Sequence, residues 1–176
     1  MIRKAKIEER FEINTLFDDA KALFKSQGST QWQDLDGYPN ISTIEKDINN
    51  GHMFVKIRDD KIVGVMALTK EFEEAYRLIY DGAWLNDDEY YVVHRIAVKK
   101  EFYGRGIAKE LLRFADEECI RDGVYNIKVD TMEENKIMCK LLLDSGYIKC
   151  GTIYLLRKDV IEKKRTAFQK HIAIHK

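Results

Sequence analysis

Two glycines separated by one residue lie between an apolar run and a segment with helical spacing, within residues 92–117. Glycine tolerates positive φ and lets other groups approach the backbone closely. The first N–H groups of a helix have no intrahelical partner, and the helix dipole favours an anion beside them. The stretch therefore predicts a strand, a tight loop and a helix whose N-terminus binds a phosphate group. An ordinary turn that requires positive φ is the alternative.

Hydrophobic periodicity predicts an α/β protein with one mixed sheet and flanking helices. Asp59 and Asp60 mark the turn of a hairpin, and Ser42 with Glu45 predicts a capping box at the second helix. Residues 71–89 form an acidic and aromatic insertion without a clear period. The predicted strands are 2–7, 91–98, 126–131, 147–156 and 165–174, the hairpin is 52–69, and the helices are 10–26, 42–49, 107–121 and 135–145.

The composition argues against several classes of protein. Lys plus Arg and Asp plus Glu number 30 each, so no net charge favours binding to nucleic acid or to an anionic membrane. No apolar run has the length of a membrane span, and the first residues lack the apolar region of a signal peptide. The three cysteines fit no disulfide framework or metal-ligand spacing. These features predict a reduced, cytoplasmic protein without a metal.

Two common phosphate-binding motifs fit the glycines poorly. The spacing of a P-loop is absent, because Gly104, Gly106 and Lys109 do not match it. A dinucleotide fingerprint comes closer, with Asp130 at the end of the next strand. Its third glycine is replaced by Lys109, however, where close packing requires a small residue. The chain after Asp130 is also too short to complete a doubly wound sheet, so a nicotinamide-dependent oxidoreductase is a weak alternative.

The glycine segment, Tyr103 to Ala108, resembles the acyl-CoA-binding motif of the GNAT superfamily of N-acetyltransferases, [RQ]-x-x-G-x-[GA]. Gly106 and Ala108 match its small positions, whereas Tyr103 replaces the opening Arg or Gln. A later segment resembles the family's N-x-x-A-x-x-L-Y-x-x-x-G-F pattern, with Met138 and Leu142 in place of its Ala and Tyr. The matching residues of that segment are Asn135, Leu141, Gly146 and Tyr147.

The resemblance implies a single GNAT domain over residues 1–176, a largely antiparallel sheet and acetyl-CoA as cofactor. Its activity would be transfer of an acetyl group to a primary amine of a small molecule or peptide, by direct attack in a ternary complex. The chain would act as a monomer or a homodimer. The residues expected to bind the cofactor are Ile96, Ala97, Val98, Tyr103, Gly104, Arg105, Gly106, Ile107, Ala108, Lys109, Asn135 and Met138.

Catalysis by this route requires a base for the attacking amine and an acid or a stabilising charge for the thiolate. His94 is the best local candidate for the base, because an unperturbed histidine titrates near neutrality. A hydrogen-bonded core histidine is an equally good explanation of this residue. Glu89, Asp81, Tyr80 or a chain of water are the alternatives. The family often uses a tyrosine as acid where this chain has Leu142, so Tyr154 is the substitute, with Tyr147 also nearby in sequence.

Acceptor specificity is expected from two irregular regions rich in aromatic and acidic residues, 30–40 and 80–91. Aromatic rings can form the walls of a pocket, and carboxylates attract a cationic amine. Core packing of the tryptophans and a solvated acidic turn are the competing explanations. The predicted substrate-binding residues are Trp32, Tyr38, Tyr80, Asp81 and Trp84.

A non-catalytic acyl-CoA-binding module remains an alternative of another class. Leu142 cannot donate a proton, which is compatible with binding in the absence of catalysis. Release of thiol in the presence of an amine separates an enzyme from such a module. Binding of acetyl-CoA rather than NAD separates both of them from the oxidoreductase.

Overall fold

The computed structural model describes residues 1–174, so the last two residues of the predicted domain lie outside the described part. Seven strands and four α-helices follow one another along this part of the chain. They are β1 (Ile2–Lys4), α1 (Arg10–Ser26), α2 (Ile41–Asn49), β2 (Met53–Arg58), β3 (Lys61–Thr69), β4 (Tyr91–Val98), α3 (Ile107–Arg121), β5 (Asn126–Thr131), α4 (Lys136–Asp144), β6 (Ile148–Tyr154) and β7 (Lys164–His171).

The strands form one seven-stranded sheet in the order β1-β2-β3-β4-β5-β7-β6. β4 and β5 pair in parallel, whereas β1 with β2, β2 with β3, β5 with β7 and β6 with β7 are antiparallel. The predicted mixed α/β fold with a largely antiparallel sheet is confirmed. The described chain clusters into two compact units, and the prediction of one domain stays a prediction.

Unit 1 comprises Met1–Leu68 and His94–Leu111. Asp59 and Asp60 have φ values of 47° and 60° and form the predicted turn between β2 and β3. The apolar face of α1 is buried as its period predicts. The core of this unit contains Ile13, Leu16, Phe17, Ala20, Ile44, Met53, Val55, Ile62, Val65 and Ala97.

The predicted capping box of α2 is wrong by two residues. The helix begins at Ile41, and Asn40 is its N-cap. The side chain of Asn40 accepts a hydrogen bond from the N–H of Thr43 at 3.0 Å, and the Thr43 hydroxyl lies 3.4 Å from the N–H of Asn40. Asn is as good an N-cap as Ser, and the reciprocal pair decides where the helix starts.

Unit 2 comprises Thr69–Val93 and the chain from Leu112 onward. The insertion, residues 71–89, contains a short 3-10 helix at Glu74–Tyr76 and then runs beside β6. Tyr80 and Thr152 exchange two backbone hydrogen bonds of 2.8 Å, so the insertion extends the sheet at that edge. The core of unit 2 contains Ala75, Tyr76, Val92, Ile153 and Ala167.

Candidate active site

The end of β4 has one edge that is directed away from β3. The N–H of Lys99 donates to the C=O of Val63 on β3 at 2.9 Å. Successive residues of a strand direct their N–H and C=O groups to opposite edges, so Ile96 and Val98 direct theirs away from β3. The parallel ladder with β5 involves the first two residues of β4. An extended ligand can pair with Ile96 and Val98 as a strand would.

A tight loop with two glycines joins β4 to α3. It follows a short 3-10 helix at Lys100–Phe102, and Gly104 and Gly106 have φ values of 73° and 76°. Residues other than glycine rarely adopt this conformation. The backbone conformation alone therefore requires both glycines, which is also what an ordinary turn without a ligand would require. The case for a ligand depends on the groups that the loop leaves unpaired.

Five N–H groups of the loop and the first turn of α3 have no acceptor within residues 1–174. They belong to Gly104, Gly106, Ile107, Ala108 and Lys109. The N–H of Glu110 donates to the C=O of Gly106 at 3.0 Å, which closes the first turn. Unpaired N–H groups and the helix dipole together stabilise a bound anion. The arrangement suits a phosphate group.

The space beside these N–H groups is open. A Cβ built on Gly104 or Gly106 would meet no heavy atom within 4 Å. Ile107 is buried instead against β3, where a Cβ built on Gly64 would lie 2.6 Å from Ile107 Cγ2. The start of the helix is thus held to β3 through Ile107, and its first N–H groups stay accessible.

Basic side chains follow β4 and extend into α3. Lys100, Arg105 and Lys109 are exposed, and the guanidinium of Arg105 lies over the ring of Phe102 at 5.3 Å. Positive charge around unpaired N–H groups favours a ligand with several negative charges. The residues present therefore fit the diphosphate of acetyl-CoA, the predicted cofactor.

Tyr103, which replaces the family's Arg or Gln, is partly exposed in this loop. Burial raises the pKa of its phenol, and the carboxylates of Asp19 and Glu101 add to the shift. The phenol is thus uncharged at neutral pH and adds no positive charge to the loop.

The predicted role of His94 as base assumed an imidazole with an ordinary pKa near neutrality. The structure does not support this assumption. Burial lowers the pKa of its imidazole to about 3, and the charges of Arg95 and His52 add to the effect. The imidazole is therefore neutral at physiological pH. Such a weakly basic group is poorly matched to removing a proton from an amine near neutrality.

Replacing His94 by glutamine is expected to change the pH dependence of stability more than turnover. The folded protein keeps the imidazole neutral down to a pH of about 3, whereas the unfolded chain binds a proton below about 6.5. The free energy of unfolding therefore falls as the pH drops through this window. The slope of this fall corresponds to the uptake of at most one proton on unfolding. Urea unfolding over this range should show a shallower slope for the variant. Equal slopes, or a hundredfold loss of turnover, would contradict this account.

Two predicted residues from separate segments of unit 2 come together beside β6. The rings of Tyr80 and Tyr154 make an edge contact with centroids 5.4 Å apart. They are 48% and 45% exposed, so the pair is available to a substrate. Asp81 follows on the exposed side of the insertion with a φ of 56°. The pair combines the predicted acid, Tyr154, with the predicted acceptor-binding residue, Tyr80.

Glu89, the alternative base, is a surface carboxylate at the end of the insertion. Its side chain is 76% exposed and lies 3.8 Å from the ammonium of Lys70. Its C=O accepts a hydrogen bond from Asn126 at 3.3 Å. The backbone is thus held in place while the carboxylate remains exposed to solvent.

The predicted aromatic pocket walls all make contacts inside their own unit. The ring of Trp32 packs edge-on against Phe17 and Phe24, at centroid distances of 5.6 and 5.5 Å. The face of Trp84 is covered by the ammonium of Lys128 at 4.2 Å. The hydroxyl of Tyr38 accepts a hydrogen bond from Arg95 at 2.9 Å. Contact of these three rings with an acceptor stays a prediction.

The second family-like segment forms the start of α4. Asn135 is the N-cap of the helix, and its side chain accepts a hydrogen bond from the N–H of Met138 at 3.1 Å. Leu142, where the family often has a tyrosine, is fully buried. These positions thus have clear structural roles in unit 2, and binding of the cofactor by Asn135 and Met138 stays a prediction.

Comparison with known proteins decides the family. Residues 14–147 match the acetyltransferase (GNAT) family. This chain belongs to the GNAT acetyltransferase family. It is an acyltransferase of the N-acetyltransferase type. The predicted cofactor, acetyl-CoA, is bound in the solved structure of a neighbour with the same fold, the putative streptothricin acetyltransferase of Bacillus anthracis str. Ames. The alternative of a dinucleotide-dependent oxidoreductase is wrong.

Similar proteins come from several bacteria. A GNAT family acetyltransferase of Streptococcus agalactiae 2603 shares 36% identity and superimposes with a TM-score of 0.90, over 99% of this chain and 96% of that one. One from Listeria monocytogenes 4b F2365 shares 26% identity with a TM-score of 0.73, over 98% and 94%. The uncharacterised N-acetyltransferase YesJ of Bacillus subtilis is 26% identical over 159 residues, which are 87% of this chain and 86% of that protein.

The buried ion pair of β4 was not predicted from the sequence. Arg95 forms an ion pair with Asp47, and the two side chains are 13% and 7% exposed. A charged residue in the apolar strand "VVHRIAV", and an acid between Ile44 and Ile48 of α2, are signals that could have indicated this pair.

Among the described residues, no helix is long and apolar enough to cross a membrane, and no cluster of three or more His, Cys, Asp or Glu is placed to hold a metal.

Proposed function

We propose that this GNAT acetyltransferase moves the acetyl group of acetyl-CoA to a primary amine of a small molecule or peptide, by direct attack with both substrates bound. The observation that carries the proposal is the row of five unpaired N–H groups between Gly104 and Lys109, beside open space. Acetyl-CoA supplies an activated thioester. The protein has to hold the diphosphate of acetyl-CoA, align the extended arm of the cofactor and remove one proton from the attacking amine.

The residues suited to hold acetyl-CoA form two groups in unit 1. The N–H groups from Gly104 to Lys109 would accept the diphosphate, assisted by the charges of Arg105 and Lys109. The edge of β4 at Ile96 and Val98 would pair with the extended arm. An N–H donor in the stretch Ile96–Val98 would also stabilise negative charge on the thioester oxygen, and a fixed donor needs little rearrangement during reaction.

The amine has to lose a proton before or during attack, because an ammonium has no lone pair. We assign this proton to water or to an exposed carboxylate such as Glu89, since the low pKa of His94 argues against it. His94 would then serve as a neutral neighbour of the strand edge. Tyr154 remains the candidate acid for the thiolate, and it lies in ring contact with Tyr80.

The acceptor is expected to be a cationic amine that meets Tyr80 and Asp81. An exposed aromatic pair followed by a carboxylate can contact both the apolar part and the charge of such a molecule. Trp84 would support this region through packing, given its contact with Lys128 in the same unit, whereas the contacts of Trp32 and Tyr38 lie within unit 1.

The alternative of a non-catalytic acyl-CoA-binding role rests on Leu142, which stands where the family often has a tyrosine and is completely buried. A buried leucine cannot protonate a departing thiolate. The two functions share the binding step and differ in turnover.

The test combines binding with turnover on the same preparation. Calorimetry with acetyl-CoA and with NAD measures the first, and release of free thiol with a panel of small amines and amino-terminal peptides measures the second. Binding of acetyl-CoA with amine-dependent thiol release supports the enzyme. Binding without release for any amine supports the alternative, and absence of acetyl-CoA binding would refute both.

Replacing Tyr103 by alanine is expected to weaken acetyl-CoA binding less than replacing Gly106 by valine. The backbone N–H groups carry the phosphate contact in our proposal, and the phenol is uncharged. Calorimetric Kd values of the two variants give the ranking. The reverse order would identify the tyrosine side chain as a ligand of the phosphates.

A further inference from the structure

Arg95 has an unusual backbone conformation for a strand residue. It lies inside β4 with a φ of 49°, although its neighbours belong to an extended strand. Positive φ is unfavourable for a residue with a Cβ and persists only where the surroundings hold it. The strand therefore contains a local irregularity directly before Ile96–Val98.

Two groups from other segments of unit 1, the buried Asp47 and the partly buried Tyr38, meet at the Arg95 side chain. Its Nε and Nη2 donate to the two carboxylate oxygens of Asp47 on α2, at 2.7 and 2.8 Å. Its Nη1 donates to the hydroxyl of Tyr38 at 2.9 Å. A bidentate ion pair of this kind fixes both the distance and the orientation of the guanidinium relative to the carboxylate.

Stability alone is a poor explanation for this cluster. Burying an ion pair has a desolvation cost that often cancels its attraction, so apolar residues would serve a core equally well. The cluster instead fixes the position and orientation of the Arg95 guanidinium. It anchors the side chain of the one residue of β4 that has positive φ.

We propose that Asp47 and Tyr38 are positioning residues, which act through Arg95 to hold the irregularity in β4 that directs the backbone of Ile96 and Val98 toward acetyl-CoA. This inference rests on the proposed function. It also gives Tyr38 a role other than contact with the acceptor.

Two double variants separate the conformation of residue 95 from the loss of the ion pair. Asp47→Asn combined with Arg95→Gly removes the pair but leaves a residue that adopts positive φ readily. Asp47→Asn combined with Arg95→Ala removes the same pair and disfavours that φ. Neither variant leaves a buried charge without a partner.

Acetyl-CoA affinity by calorimetry is the main measurement. The glycine variant should bind within threefold of wild type, and the alanine variant at least tenfold more weakly, although both melt at lower temperature. Equal affinities of the two variants would overturn the inference, whereas a wild-type protein that does not bind acetyl-CoA would instead refute the proposed function. Glu9→Gln, which breaks the pair with Arg3 in the same unit, is the control for a general loss of stability.

Tyr38→Phe keeps the ion pair and tests the inference even if a double variant does not fold. It removes one hydrogen bond to Arg95, so acetyl-CoA should bind three- to tenfold more weakly while the melting temperature stays close to that of wild type. Unchanged affinity would exclude Tyr38 from a positioning role.

Discussion

Replacing Gly106 by valine is expected to weaken acetyl-CoA binding at least tenfold, about 1.4 kcal/mol. Gly106 has a φ of 76°, which a β-branched residue adopts only with strain. Its own N–H and that of Ile107 belong to the unpaired row, so a shift of the loop would misdirect them. The added side chain would also enter the open space where the phosphates are proposed to lie. Calorimetry gives the change in Kd.

Gly28→Val is the matched control for this variant. Gly28 lies in the same unit with a φ of 70° and, like Gly106, would place a Cβ within 4 Å of no other atom. Both variants should therefore melt at lower temperature by similar amounts. An equal loss of acetyl-CoA affinity in both would assign the effect to general destabilisation, and unchanged affinity of Gly106→Val would show that the phosphates bind elsewhere.

Replacing Gly82 by alanine is expected to reduce amine-dependent turnover by about a hundredfold while acetyl-CoA binds within threefold of wild type. A Cβ at this position would lie 1.8 Å from the C=O oxygen of Cys150, so the insertion has to move away from β6. The movement would displace Tyr80 and Asp81, and a misplacement of about 1 Å can cost a factor of 10². Turnover with the best amine and the Kd of acetyl-CoA are measured in parallel.

Ala83→Ser is the control at the next position. The side chain of Ala83 is exposed, and its N–H donates to Cys150 at 3.0 Å, a bond that serine retains. This variant should keep wild-type turnover. An equal effect of Gly82→Ala on turnover and on acetyl-CoA affinity would show that the insertion does not act on the acceptor side.

The helices and strands could be predicted closely because their signals are local. The apolar positions of α1 recur at helical spacing, and the alternation on both sides of Asp59 and Asp60 identifies a hairpin without knowledge of any distant residue. The glycines between β4 and α3 were likewise recognisable, since positive φ at a strand–helix turn selects glycine directly. Errors of a few residues remained at element ends, where the competing caps Ser42 and Asn40 differ little in energy.

The roles of individual side chains were harder to predict, because they depend on neighbours distant in sequence. His94 has an ordinary pKa in isolation, and its burial in the folded unit lowers the value to about 3. Trp84 has the residue type of a pocket wall, yet Lys128 of β5 covers its face. Desolvation and cation–π contact arise only when the chain has folded.

By itself, the sequence determined the order of helices and strands, the mixed α/β class and the loop whose N–H groups suit a phosphate. These depend on short-range periodicity and on the conformational freedom of glycine. Only the tertiary structure decided that Arg95 has positive φ and that Asp47, 48 positions away, holds its guanidinium. The reason is physical: a buried charge needs a partner of opposite sign, and folding selects that partner from residues that no local pattern connects.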